Sequence, residues 1–171
     1  MIALIKSPER HGVLDPRICN TMLDANAIDR DGGPRDVLVA RLLALDETGE
    51  ITIVMPGSVR REVKHPRTPR DVMRQLLPAV YSLPVGKTAA EHEKLCDVQR
   101  LLRGNAITDK HDADGSHLCE AAKYGGGYFI THDSRLLKKR AALERLLGPA
   151  LCIVTLQEYL DAYERFRNEL Q

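Results

Sequence analysis

The chain has 171 residues, 43% hydrophobic and 29% charged, which is one domain's worth of core with room for a short appendage. Lys+Arg is 25 against Asp+Glu 24, so a globally basic nucleic-acid binder is excluded and any polyanion site is a local patch. There is no Trp, and the seven aromatics are five Tyr and two Phe, too few for a base-stacking platform. No apolar run approaches the ~18 residues of a membrane span, and Met1–Lys6 is too short for a signal peptide's apolar region. Cys19, Cys96, Cys119 and Cys152 form no C-x-x-C pair; each lies among apolar neighbours and reads as a small buried residue in a reducing cytoplasm.

Residues 1–17 show no clear period and include Pro8, Gly12 and Pro16, the composition of a loosely attached N-terminal extension; the domain proper is expected over 18–171. Ile18 to Leu23 is a short strand ending at Asp24, and Asp29–Pro34 is a loop. Arg35 to Leu45 carries Val37, Leu38, Leu42 and Leu45 at helical spacing. Ile51–Met55 has the pattern of a buried strand. Pro56-Gly57-Ser58 then opens a helix through about Lys64, with Ser58 as N-cap. Arg70 to Leu77 is a further short helix, and Ala79 to Val85 a strand limited by Pro84. Lys87 to Leu102 is a long amphipathic helix, and Asp114 to Tyr124 a helix stopped by Gly125-Gly126-Gly127. Tyr128–Thr131 is a strand, Ser134–Leu147 a helix, Leu151–Thr155 a strand, and Gln157 to about Asn168 the last helix. Apolar strands alternating with helices point to a parallel sheet covered on both faces, a three-layer α/β/α architecture.

In such sheets ligands bind beyond the carboxyl ends of the strands. Asp24 and Asp133 both follow apolar strands, where each could also cap the next helix. Glu62 flanks the buried stripe of the helix after the second strand, where a solvated glutamate is the plain alternative. Asp114 sits at the N-cap position of its helix, with His117 three residues on along the same face. Four carboxylates gathered at one edge would repel by roughly 4 kcal/mol per pair at about 4 Å in an effective dielectric near 20. A fold that gathers them needs compensating cations, and hard oxygen donors with few histidines favour Mg²⁺ or Mn²⁺ over zinc. Such ions can bind a phosphodiester and activate water for its hydrolysis. No G-x-x-x-x-G-K-[ST] or strand-linked G-x-G-x-x-G is present, which disfavours a nucleotide-binding fold. The strand end Asp24-Ala25-Asn26 also lacks the second acid of a phospho-aspartate enzyme.

Leu23-Asp24-Ala25-Asn26, Ser58-Val59-Arg60-Arg61-Glu62-Val63, Asp112-Ala113-Asp114-Gly115-Ser116-His117, Phe129-Ile130-Thr131-His132-Asp133 and Ile153–Leu160, taken in order, resemble the PIN domain family over about residues 18–165. The resemblance implies a five-stranded parallel sheet of order 3-2-1-4-5 and a Mg²⁺- or Mn²⁺-dependent endoribonuclease acting on single-stranded or structured RNA. Asp24, Glu62, Asp114 and Asp133 take the family's acidic, metal-holding positions, and Asn26 and Thr131 its polar supporting ones. The third acid is Asp112 or Asp114, of which Asp114 has the better spacing to Ala121-Ala122. VapC-like members are toxins paired with an antitoxin, and homodimers are common among them. Ala25 departs from the family's frequent Ser or Thr, which leaves open a second reading, a PIN-like module that binds RNA or protein with little or no turnover.

RNA would require positive charge beside the acids. Residues 60–74 hold six basic against two acidic residues, with Arg60, Arg61 and Lys64 foremost. Residues 135–145 hold five against one, including Lys138 and Lys139. Both stretches follow acid-bearing segments and could contact phosphates, or could be ordinary solvated helix surface.

Overall fold

The computed structural model describes residues 14–30, 32–59, 64, 73–74, 86–104 and 111–169. Four strands, β1 (Asn20–Leu23), β2 (Thr52–Val54), β3 (Gly127–Ile130) and β4 (Leu151–Val154), form one parallel sheet in the order β2-β1-β3-β4. Among the described residues five helices accompany them: α1 (Arg35–Glu47), α2 (Ala89–Arg103), α3 (Asp112–Lys123), α4 (Ser134–Leu147) and α5 (Leu156–Asn168). The sheet thus has four strands among the described residues rather than the five expected; the remaining expected strand, Ala79–Val85, and most of the Arg70–Leu77 helix lie outside them.

Alternation along each strand divides the core in two. Leu23, Tyr128, Ile130, Cys152 and Val154 point to one face, where Val39, Leu42 and Leu43 of α1 and Tyr159, Leu160 and Tyr163 of α5 cover them. Met22, Phe129, Leu151 and Ile153 point to the other, against Val98 and Leu102 of α2, Leu118 and Ala121 of α3, and Leu136 and Leu143 of α4. A strand with both faces dry cannot alternate polar with apolar, which is why these strands read as continuous apolar runs. Thr21, one of few polar residues in the strands, meets the Tyr159 hydroxyl at 2.5 Å, so its burial leaves no orphan.

Several local expectations are corrected. Val37 is 71% exposed; the packed face of α1 runs through Val39, Leu42, Leu43 and Leu45 instead. Ser58 lies within a 3-10 turn, Gly57–Val59, and its N–H donates to Glu120 Oε2 at 2.9 Å; the helix expected to follow it through Lys64 falls largely outside the described residues. α3 begins two residues early, so Asp114 stands inside its first turn and His111 occupies the N-cap position. Cys96 is exposed on α2, whereas Cys152 is buried in β4 and burial pushes the Cys119 thiol up to about 11. Within the N-terminal extension, Leu14 packs against the core and its carbonyl accepts the Tyr128 hydroxyl at 2.7 Å. Among the described residues no helix is long and apolar enough to cross a membrane.

Candidate acidic site at the strand ends

Because the strands are parallel, all four carboxyl ends lie on one edge. β1 pairs with β2 on one side and β3 on the other, so the chain reverses its direction of progress between β1 and β3. The crevice at such a reversal is where open α/β sheets take ligands. Asp24 leaves β1 there, and Thr131, His132 and Asp133 leave β3.

The ladder continues to the rim. Asp24 N–H donates to Ile130 O and Thr131 N–H to Val154 O, each at 3.0 Å. With its backbone fixed, Asp24 is only 6% exposed, its Oδ2 accepting from Thr131 Oγ1 at 2.7 Å and its Oδ1 from Ala25 N–H at 2.8 Å. Burial nonetheless pushes its carboxyl above the ordinary range, with Asp133 adding to the rise, while Thr131 and His117 pull it down. Thr131 works in both directions, since its Oγ1 also accepts from Asp133 N–H at 3.0 Å. Asn26 joins the two strand ends: its Oδ1 accepts from His132 N–H at 2.9 Å and lies 3.5 Å from Thr131 Oγ1.

Asp133 caps α4, its Oδ1 accepting from Arg135 N–H at 2.6 Å. Asp114 reaches the same region from the first turn of α3. Its carboxyl is also raised, by burial first and then by the negative charges of Asp24 and Asp133, with His117 and His111 opposing. Three carboxylates from separate stretches of chain therefore act on one another electrostatically at one rim. Asp112 points elsewhere, its Oδ1 3.2 Å from Arg103 Nη2 on α2. His117, 2% exposed, is buried one turn below Asp114, near enough to both Asp24 and Asp114 to favour their ionised forms. Among the described residues no three Asp, Glu, His or Cys side chains are arranged to hold a metal ion as they stand.

Glu62, Arg60 and Arg61 lie outside the described residues. Lys64 and Lys138 are exposed. Lys139, expected to contact phosphate, is instead used internally: its Nζ donates to Leu101 O at 2.6 Å and Leu102 O at 3.1 Å, capping the C-terminus of α2. A charge count along the sequence cannot reveal that a lysine is already spoken for.

Three site neighbours escaped sequence reasoning. His111, 6% exposed, has its Nδ1 3.4 Å from Asp114 Oδ2 and hydrogen-bonded to Arg135 Nη1. In the sequence Arg135 is only one charge of the basic stretch 135–145. Glu120, 7% exposed two turns along α3, anchors the Gly57–Val59 turn through Ser58 N–H. The available signals were faint: a histidine immediately before Asp112-Ala113-Asp114, and an arginine two residues after a strand-end acid.

Compared with protein-family models, with curated proteins and with solved structures, the chain gives no match in any of the three.

Proposed function

We propose that this chain is a PIN-like, divalent-metal-dependent endoribonuclease whose centre is Asp24, Asp114 and Asp133, with Glu62 as fourth acid. The observation that supports this reading is the meeting of strand-end and helix-start acids at the β1/β3 switch point, where Thr131 Oγ1 binds both the Asp24 carboxylate and Asp133 N–H and His111 lies against Asp114, with burial and neighbouring charge raising the Asp24 and Asp114 carboxyls. A fold gains nothing in stability from crowding acids at one rim, and a cation is what makes the arrangement useful. The donors suit Mg²⁺ or Mn²⁺ in type: carboxylate oxygens, with histidine beside them rather than in the majority. When bound, such an ion would supply Lewis-acid polarisation of a phosphodiester and an acidified water.

The chain's own groups supply the rest. Thr131 and Ala25 N–H hold the Asp24 carboxylate in one orientation. Asn26 keeps the β1 and β3 ends in register. His117 favours the ionised states of Asp24 and Asp114, the states that bind a cation. Lys64 and Lys138, with Arg60 and Arg61, are the candidates for holding the RNA backbone. In the full form of this reading Ala79–Val85 adds a fifth strand beside β2, giving order 3-2-1-4-5. The toxin role, an antitoxin partner, a homodimer and a cytoplasmic location come with the family resemblance.

The test is cleavage of a structured RNA in Mn²⁺ or Mg²⁺, which EDTA should abolish and Asp24→Asn should lower by about 10²- to 10³-fold. Mn²⁺ should also raise the melting temperature, since a ligand of the native state stabilises it. A second reading, an RNA- or protein-binding module without turnover, is favoured by Ala25 and by the His111 ring already lying against Asp114. Calorimetric titration separates the two: no heat at millimolar Mn²⁺ selects the second.

A further inference from the structure

Arg135 is the cation nearest in sequence to the acidic rim, and its surroundings differ from those of the other basic residues. Arg103 is paired with Asp112, Arg140 with Glu158, and Lys139 with two helix carbonyls. Among the described residues the Arg135 guanidinium pairs with no carboxylate; it donates through Nη1 to the imidazole of His111. Arginine cannot accept a hydrogen bond, so the guanidinium is the donor in this contact and the imidazole is what it rests against. An imidazole, unlike a carboxylate, brings no negative charge, so it orients the guanidinium without neutralising it. The backbone of the same residue is pinned by the Asp133 carboxylate at 2.6 Å. Arg135 is therefore tethered at both ends, between the first turn of α4 and the N-cap of α3 that carries Asp114 three residues on.

A phosphodiester approaching three carboxylates meets net repulsion unless a fixed donor receives it. A guanidinium offers a planar fork matched to two phosphate oxygens, and prior orientation reduces the entropy lost on forming those bonds. From this placement we infer that Arg135 is the phosphate-contacting residue of the site, held in position by His111. The inference rests on the nuclease reading for its substrate, an RNA phosphodiester, but the contact itself can be measured without turnover.

The experiment uses a single-stranded RNA oligonucleotide, with binding followed by fluorescence anisotropy in EDTA, where the proposed metal-dependent cleavage cannot proceed. Arg135→Gln is expected to weaken binding at least tenfold and to lower kcat/KM on cleavable RNA by at least that factor. The Mn²⁺-induced rise in melting temperature should be unchanged, which a merely structural lesion would not spare. Arg135→Lys keeps the charge but loses the fork, and should recover only part of the affinity; it also serves if the glutamine variant does not fold. Wild-type protein that fails to bind the oligonucleotide, or wild type and both variants binding equally, overturns the inference. Wild type that binds in an Arg135-dependent way but never cleaves RNA sinks the nuclease reading and leaves the phosphate contact standing. Cleavage with unaltered binding and kcat/KM in both variants sinks Arg135 alone.

Discussion

β3 begins among glycines and ends among carboxylates, and the two ends are secured by different means. At its start, Gly127 has φ +107°, and a Cβ there would lie 2.1 Å from Asn20 O; Gly126, at φ +67°, would place one 2.2 Å from Ala150 O. The backbones of β1, β3 and β4 close on one another so tightly that no side chain fits between them. At the other end the space is filled by Thr131, Asn26 and Asp24, whose hydrogen bonds hold a carboxylate that burial disfavours. The glycine end is shaped for stability; the acidic end accepts an electrostatic cost. A sheet edge that only needed to be stable would have no use for Asp24.

This contrast is sharpest if damage at the two ends separates stability from activity. Gly127→Ala should be the most severe change, costing about 4 kcal/mol from a forbidden φ together with a backbone clash, and lowering the melting temperature by roughly 10 °C. Whatever folded fraction remains should keep its activity per molecule. Asp24→Asn should do the reverse, losing about 10²- to 10³-fold in metal-dependent cleavage, an effect of the size seen when one preorganised polar group is removed from a site, while melting no lower than wild type without metal. Equal stability losses in the two variants would erase the distinction. Thr131→Val removes the donor to Asp24 and the acceptor for Asp133 N–H, and should cost about 2 kcal/mol in urea denaturation; a cost near zero would mean that the threonine merely fills space.

The charge itself gives a subtler test. Asp24 has a folded-state pKa above its unfolded value, so its contribution to stability is complete below the ordinary carboxylate pKa and is lost as pH rises through the raised one. In EDTA, the melting temperature of Asp24→Asn relative to wild type should therefore climb with pH across that interval; a flat difference would remove the electrostatic cost from the acidic end. Smallest is Lys139→Ala, expected to destabilise by about 1 kcal/mol through the lost cap on α2 and to leave RNA affinity unchanged.

The sheet was legible because its strands are dry on both faces and therefore apolar throughout, and Asp24 and Asp133 stood out as the first charges after such runs. Asp114 was legible as a helix-start acid, but the helix starts two residues earlier than expected, since Asp112 and Ala113 suit the first turn as well as the residues after them. Val37 misled because its spacing fits a helical stripe, and spacing does not say which stripe meets the sheet. His111 and Arg135 were invisible as a pair: 24 positions separate them, and only the joint docking of α3 and α4 brings imidazole to guanidinium. The capping role of Lys139 was invisible because its carbonyl partners belong to a helix it follows by more than 35 residues.

The central strand takes its two neighbours from opposite halves of the polypeptide, β2 from the first and β3 from beyond residue 126. During synthesis, Asp24 leaves the ribosome long before Asp114 and Asp133 exist to join it. Pairings that span so much sequence form late. On the nuclease reading, a chain assembled in this order would be harmless while nascent, since its acids meet only once both halves are present.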